Sequence, residues 1–192
     1  MPPWATASEG CALTTRLTRA EIRRLFERLD QELAATGVMG ELYVVGGAVM
    51  CLALEARDAT RDVDALFKPA SLVREAAARV AARTGAPATW LNDAVKGYLS
   101  PRGEFDAYLE LPHLKVYVAH PRYLLAMKCA AMRLGEEFHD LDDVRYLLRH
   151  LNVTSADEAM AIVCRYFDES QLPPKTRLVL EEVLPGPASG VV

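Results

Sequence analysis

Cysteine is scarce in this sequence, and the four cysteines that occur form no Cys-x-x-Cys pair. The sequence therefore contains no zinc-knuckle or thioredoxin-like motif. Cys51, Cys129 and Cys164 each lie in an apolar run, where a free cysteine behaves as a small buried hydrophobe. Because these thiols are expected to stay free, we expect a reducing, cytoplasmic environment.

Long hydrophobic runs and an excess of positive charge are also missing. No apolar stretch approaches the roughly 20 residues that span a bilayer, and residues 1–10 lack a basic segment followed by an apolar one. We therefore expect a soluble protein with neither a signal peptide nor a membrane partner. The net charge of −4 argues against nucleic-acid binding by bulk charge alone, although 22 lysines and arginines leave room for a local basic surface.

The composition that remains is that of an ordinary globular protein, with 51% hydrophobic and 25% charged residues. Residues 1–17 have no clear periodicity and predict a loose N-terminal arm. Thr18 and Glu21 have the spacing of a capping box. Apolar residues then recur at helical intervals until Gly37, which is placed to close the helix.

A strand, a glycine pair and a second strand follow in close succession. Residues 41–45 are apolar and β-branched, which predicts a buried strand. Gly46 and Gly47 come next and lead into a predicted helix over 48–56. Residues 62–67 predict the second strand, with alternate side chains on opposite faces.

After this point the pattern changes gradually from strands to helices. Ser71 is placed to cap a helix that runs to about Arg83, and residues 90–99 predict a short amphipathic helix. Two short strands joined by a turn are predicted within residues 104–119. Helices then fill the rest of the chain, and they are predicted over residues 121–134, 141–151, 155–167 and 174–183.

These elements predict an α/β (α+β) chain in three parts. The parts are an N-terminal arm over 1–17, a strand-containing core over 18–120 and a helical part over 121–192. No internal repeat or low-complexity segment interrupts them.

Asp62 and Asp64 are the first candidates for chemistry. They stand two residues apart on a predicted strand, so their carboxylates project from one face. Two carboxylates on one side repel each other unless a cation lies between them or one is protonated. Magnesium fits, because it takes oxygen ligands and is usually held by one or two carboxylates plus substrate phosphates. The alternative is that both residues face solvent on an edge strand.

The glycine pair strengthens this interpretation. Gly46 and Gly47 directly follow an apolar strand, where backbone amides can approach a phosphate chain closely. Alone the pair is weak, because strand-to-helix turns often contain glycine for steric reasons. The combination of a strand, Gly-Gly, a helix and a strand with Thr60-x-Asp62-x-Asp64 is more informative.

This order of features resembles the polymerase-β-type nucleotidyltransferase superfamily. The closer resemblance is to the minimal AbiEii- and MenT-type nucleotidyltransferases of bacterial toxin–antitoxin and phage-defence systems, and it covers roughly residues 42–148. Gly47 stands where many of those relatives have serine. The resemblance is carried by Thr60-x-Asp62-x-Asp64, by Tyr-Leu-Leu-Ala-Met-Lys at 123–128, by Ala131 and Arg133, and by Asp-Leu-Asp-Asp-Val at 140–144.

The resemblance implies a nucleotidyltransferase fold, with a small mixed sheet flanked by helices and a C-terminal helical bundle. It implies transfer of NMP from an NTP to an acceptor, with Mg²⁺ held by Asp62 and Asp64. The residues that it assigns to nucleotide binding are Gly46, Gly47, Thr60, Arg61 and Lys128. The MenT-type relatives further imply a toxin that adds nucleotides to the tRNA 3′ end and that has a cognate antitoxin.

The predicted helical part contains further candidate site residues, whose roles the sequence leaves open. Lys128 either supports the triphosphate, as the resemblance implies, or buries its stem and leaves its ammonium group in water. Asp140 is placed to cap a helix, and Asp143, one turn later, either faces the cleft or does not. Arg133 and Arg145 either bind phosphate or are surface charges.

A third metal carboxylate is expected from the resemblance. Asp106 is the best candidate because it begins the next predicted strand, and Glu110 is its rival. A third carboxylate near the acceptor would assist removal of the hydroxyl proton. Trp90 either lines the nucleotide pocket, together with Asn92 and Asp93, or belongs to the core.

Two other functions are open at this point. One is nucleotidylation of a small molecule such as an antibiotic, or of a protein, which predicts an acidic acceptor pocket. The other is a non-catalytic nucleotide-binding module, although such a module has no reason to keep Asp62, Asp64 and Lys128 together. A tRNA acceptor needs a local basic surface, for which the sequence offers Arg16, Arg19, Arg23 and Arg24.

Overall fold

The computed structural model describes residues 16–131 and 140–184, so most of the predicted arm lies outside it. The N-terminal elements are β1 (Leu17–Thr18), α1 (Arg19–Ala34), β2 (Gly40–Val44), α2 (Gly46–Leu52), β3 (Ala59–Thr60), β4 (Val63–Lys68), α3 (Ala70–Thr84), β5 (Leu91–Asn92), β6 (Phe105–Glu110) and β7 (Leu114–Ala119). The helices that follow are α4 (Pro121–Ala130), α5 (Asp140–His150), α6 (Ala156–Tyr166) and α7 (Lys175–Val183).

Five of these strands form one mixed sheet in the order β5-β4-β2-β7-β6. The central strand β2 runs antiparallel to β4 and parallel to β7. The edge strands differ, since β5 is parallel to β4 whereas β6 is antiparallel to β7. Helices and a mixed sheet in one chain confirm the predicted α+β class.

One face of the sheet carries the core. On β2, β4 and β7 every second residue is apolar and at most 5% exposed, and these residues are Leu42, Val44, Val63, Ala65, Phe67, Leu114, Val116 and Val118. Helices α1 and α3 pack together, with α1 against β7 and α3 against β4. The strict alternation follows from the two-residue repeat of a strand and leaves the other face for polar and aromatic side chains.

The start of α1 confirms the predicted capping box. The Thr18 hydroxyl accepts from the Glu21 amide at 3.3 Å, and the Glu21 carboxylate accepts from the Thr18 amide at 2.8 Å. Gly37 follows the helix with a positive φ of 65°, as its predicted role at the helix end requires.

Three local predictions are wrong. The helix after the glycine pair ends at Leu52 and not at residue 56. Ser71 does not cap α3, because the helix begins one residue earlier and its N-cap is Pro69. Residues 90–99 form no α-helix, since Leu91–Asn92 pairs with β4 and Ala94–Tyr98 makes a 3-10 turn.

The described residues of the predicted helical part form four α-helices and short turns. Helix α4 ends at Ala130, short of the predicted residue 134. Ser155 caps α6 by accepting from the Glu158 amide, and the Thr176 hydroxyl of α7 donates to the Cys129 carbonyl of α4. None of the described helices is both long and apolar enough to cross a membrane. The predicted division into three parts stays a prediction.

Candidate active site

The acidic pair lies at the beginning of β4, where Asp62 directly precedes the strand and Asp64 is its second residue. Both are half-buried. Asn92 on the neighbouring strand connects them, because it is the register partner of Asp64 and its amide nitrogen donates to Asp62 Oδ2 at 3.2 Å. The two carboxylates therefore project from the sheet face opposite to the core, as their spacing predicts.

The electrostatics of this pair are unfavourable in the protein alone. Burial raises the pKa of Asp62 above its usual range, and the nearby charge of Asp64 raises it further. Arg61 and the hydrogen bond from Asn92 act in the opposite direction and do not cancel the rise. A raised carboxyl pKa means that the ionised form is disfavoured here, so a cation between the two carboxylates would relieve a repulsion that already exists.

The glycine pair packs against the same strands that carry the acidic motif. Gly46 has a φ of 66°, and a Cβ at this position would lie 3.2 Å from Asp64 Oδ2. A Cβ at Gly47 would lie 2.8 Å from Thr60 Oγ1, which is closer than real Cβ contacts allow. The backbone continues the contact, since the Val45 amide donates to the Asp64 carbonyl at 2.9 Å. Both glycines are therefore required sterically, whatever the turn binds.

A second group of charges lies nearby and is balanced. Arg57 Nη2 lies 2.6 Å from Asp143 Oδ1, Lys128 Nζ lies 2.8 Å from Asp143 Oδ2, and Lys128 also donates to Asp140 at 2.9 Å. The Asp143 side chain is only 3% exposed. We call Arg57, Lys128, Asp140 and Asp143 the ion network. It joins the loop after α2 to helices α4 and α5.

The ion network changes the expectation for Lys128. Its side chain is 14% exposed, so the ammonium does not extend into water, and it lies between two aspartates. Its contacts within the protein are thus structural ones, and its predicted role at the triphosphate stays a prediction. Asp140 is the first described residue of α5, and its carboxylate accepts from Lys128.

Arg57 is the residue that sequence reasoning missed. Its guanidinium Nη1 would lie 3.6 Å from a Cβ on Gly47, while its Nη2 reaches Asp143 on α5. It therefore connects the glycine turn to the ion network. A signal for it existed in α5, where Asp140, Asp143, Val144 and Leu147 fall on one buried helical face. Two buried carboxylates on an apolar face require cations from elsewhere in the chain.

The prediction that Asp106 is the third metal ligand is wrong. Register pairs Ala65 with Val44, Val44 with Val118 and Val118 with Asp106, so Asp106 shares the face of Ala65. That face is opposite to the one carrying Asp64, and three strand spacings of about 4.8 Å separate the residues laterally. The physical reason is the strand order, since β5 and not β6 lies next to β4.

The rival Glu110 is no nearer, because it pairs with Lys115 at 3.3 Å on the far edge of the sheet. Within residues 16–131 and 140–184, no three His, Cys, Asp or Glu side chains are grouped to hold a metal ion. A metal at Asp62 and Asp64 would therefore take its remaining ligands from water and substrate, which is usual for magnesium.

The other candidates divide into core, surface and undescribed positions. Trp90 belongs to the core, since it is fully buried and its indole donates to the Ala77 carbonyl at 3.1 Å. Asp93 is paired with Arg74 at 2.5 Å and also with Lys96. Arg61 is exposed next to Asp62. Arg133 lies outside the described residues.

No family model, curated protein or solved structure matches this chain. The resemblance to minimal nucleotidyltransferases therefore stands on sequence motifs alone, among them Gly46-Gly47, Thr60–Asp64 and Lys128. The turn and the strands bring the glycine pair close to Thr60 and Asp64. Lys128 is connected to the glycine pair only indirectly, because Lys128 and Arg57 both bind Asp143 and Arg57 borders Gly47.

Proposed function

We propose that this protein is a Mg²⁺-dependent nucleotidyltransferase with a nucleotidyltransferase fold. The observation that carries the proposal is the pair Asp62 and Asp64, which are half-buried on one sheet face beside the Gly46-Gly47 turn. Burial and, after it, the charge of Asp64 raise the pKa of Asp62, and an acidic pair whose ionised form is disfavoured in this way is typical of functional sites.

The residues present fit magnesium. Two half-buried carboxylates on one face supply the hard oxygen donors that magnesium takes, and water and phosphate would supply the rest. When held there by Asp62 and Asp64, Mg²⁺ would supply charge neutralisation for the triphosphate and the leaving pyrophosphate. The proposed ligands are Asp62 and Asp64 alone, because Asp106 lies on the opposite face.

Residues of the protein supply the other contributions in the proposed mechanism, which are positioning and phosphate binding. Asp62 and Asp64 would hold the metal ion, and Asn92 keeps Asp62 in position by its hydrogen bond. Gly46, Gly47 and Thr60 form the wall against which the phosphates lie, with Arg61 at its exposed side. Catalysis of this kind consists mainly of positioning and electrostatic stabilisation.

In this proposal the ion network contributes by holding in place the residues that border the phosphate site. Asp143 holds both Arg57 and Lys128, and Arg57 borders Gly47. Removal of one charge would therefore displace the wall of the phosphate site. Lys128 is a positioning residue here, and its contact with the triphosphate would come in addition through the donor capacity that an ammonium group retains.

The proposed acceptor is the tRNA 3′ end, in a toxin controlled by a cognate antitoxin. Only the resemblance supports this step. The test is incubation with each labelled NTP, Mg²⁺ and total tRNA, with Asp64→Asn as the inactive variant. Label on tRNA that Asp64→Asn abolishes supports nucleotidyl transfer to tRNA by the acidic pair.

Other outcomes separate the rival functions. Label on a small molecule or on a protein keeps nucleotidyl transfer and replaces tRNA as the acceptor. Nucleotide binding without transfer to any acceptor class would overturn catalysis in favour of a binding module. Transfer that is unchanged in Asp64→Asn would place the chemistry elsewhere in the chain.

A further inference from the structure

A cavity of about 550 Å³ lies on the other side of Arg57, between the loop at 56–59 and helix α5. Arginine dominates its lining, with Arg16, Arg57, Arg145 and Arg149 all contributing. Met50 and Tyr146 supply apolar surface. We call this space the arginine cavity. It is distinct from the acidic pair, because neither Asp62 nor Asp64 lines it.

The arginine cavity is locally positive, although the whole chain has a negative net charge. Four arginines face three lining carboxylates, Asp58, Asp142 and Asp143, in a protein with a net charge of −4. Arg57 and Asp143 are paired within the balanced ion network, which leaves Arg16, Arg145 and Arg149 against Asp58 and Asp142. The positive excess is therefore local, which is the pattern that recruits an anion to one place.

Two of the arginines are accessible for a ligand. Arg145 makes one contact with Asp142 at 3.5 Å and its side chain is 44% exposed. Such surface pairs contribute little to stability, so exchanging this contact for a ligand costs little. Arg149 is exposed, and within the described residues neither it nor Arg16 forms an ion pair.

Helix α5 aligns these groups. Arg145 and Arg149 are four residues apart, so their guanidinium groups lie next to each other on one helical face. Tyr146 lines the same cavity and is held by its hydroxyl, which donates to the Leu54 carbonyl at 2.8 Å, while its ring stacks on His150. Paired planar guanidinium groups beside a fixed aromatic ring match phosphate oxygens and an adjoining base or sugar.

We propose that the arginine cavity binds phosphate groups of a nucleotide-containing ligand, with Arg145 and Arg149 as the principal contacts. Two sources share this chemistry, a single-stranded RNA and a free nucleoside triphosphate. The site goes beyond the proposed transfer reaction and does not depend on it. Binding needs no metal and no acidic pair, so it can be measured in EDTA.

The test compares two charge-matched double variants, Arg145→Gln with Arg149→Gln, and Arg23→Gln with Arg24→Gln on α1. Fluorescence anisotropy with a short labelled single-stranded RNA measures Kd in EDTA at several salt concentrations, and ATP serves as competitor. We expect the cavity variant to bind RNA at least about tenfold more weakly. We also expect its salt slope to fall by about 1.4, for two lost phosphate contacts on a single strand.

The outcomes decide the proposal and its ligand. Weaker binding in the cavity variant alone supports it, and efficient competition by ATP identifies the triphosphate as the source, whereas weak competition identifies the RNA strand. Equal Kd values in the cavity variant and the unsubstituted protein would overturn it. A loss confined to the α1 variant would also overturn it, because the predicted basic surface at Arg23 and Arg24 would then be the binding site. Thermal melts of both variants exclude unfolding as the cause.

Discussion

The acidic pair and the ion network are close in space and opposite in character. At the acidic pair, two like charges share a half-buried face and burial disfavours the ionised form of Asp62. In the ion network, Asp143 is almost fully buried yet lies between Arg57 and Lys128. The ionised form of a carboxylate is disfavoured in the first region, whereas in the second the buried carboxylate is paired with two cations.

This difference indicates which region is available to a ligand. A buried carboxylate between two cations gains little from a further cation, whereas a carboxylate whose pKa is raised by burial and by a second carboxylate is stabilised by one. Removing a negative charge should therefore have opposite effects on stability at the two places. It should affect activity most at the acidic pair.

The largest effect is expected on activity at the acidic pair. Asp64→Asn should reduce nucleotidyl transfer by about a thousandfold or more, because a metal-binding carboxylate supplies several kcal/mol of transition-state stabilisation. Initial rates with the preferred NTP and acceptor measure this. A melting temperature recorded beside them separates lost chemistry from lost folding. Activity within a few-fold of the unsubstituted protein would remove Asp64 from the site.

The next effect is on stability in the ion network. Asp143→Asn should lower the free energy of unfolding by about 3 kcal/mol, because it leaves Arg57 and Lys128 facing an uncharged group in a buried place. Urea denaturation followed by circular dichroism measures the change. Asp142→Asn is the matched control, since that side chain is 71% exposed and the change should cost at most about 0.5 kcal/mol. Equal effects would show that the network is not buried in solution.

A smaller effect is expected where the two regions meet. Gly47→Ala should destabilise the protein by about 2 kcal/mol, because the new Cβ would lie 2.8 Å from Thr60 Oγ1. Adding Thr60→Ala should recover part of that loss, and the four free energies of unfolding form a double-mutant cycle. Strict additivity of the two changes would refute the steric explanation.

The smallest effect has the opposite sign. Asp62→Asn should raise the free energy of unfolding by roughly 0.5 kcal/mol, since it removes the repulsion from Asp64 and keeps an acceptor for Asn92. The same urea titration detects it, and transfer activity should fall sharply in the same sample. If Asp62→Asn instead lost as much stability as Asp143→Asn, the proposed electrostatic difference between the acidic pair and the ion network would be wrong.

Local features of this fold could be predicted from sequence. The capping box at Thr18 and Glu21 needs only a three-residue spacing, and the strand with Asp62 and Asp64 needs only a two-residue alternation. The apolar face of α5 is likewise visible as helical spacing. In each case the determining interaction lies within one element or directly beside it.

The wrong and missed predictions concern contacts between residues that are far apart in the sequence. Asp106 is the candidate third metal ligand that sequence order favours, because its strand is the next long one after β4. In the sheet, however, the two-residue strand Leu91–Asn92 lies beside β4. A strand that short has no periodicity to detect, and Trp90 beside it resembled the start of a helix. Arg57 was missed because its loop has no pattern and its partner Asp143 lies in a distant helix.

During synthesis, β2 gains its two neighbours at very different times. Strand β4 follows it closely and pairs antiparallel, whereas β7 leaves the ribosome only after α3 and β6, and Asp143 comes later still. A nascent chain thus exposes one edge of β2 for a long interval. The acidic pair lies on the β4 side of β2, so its strand pairing can form early, whereas the opposite edge of β2 and the contacts of the ion network are completed only by later segments.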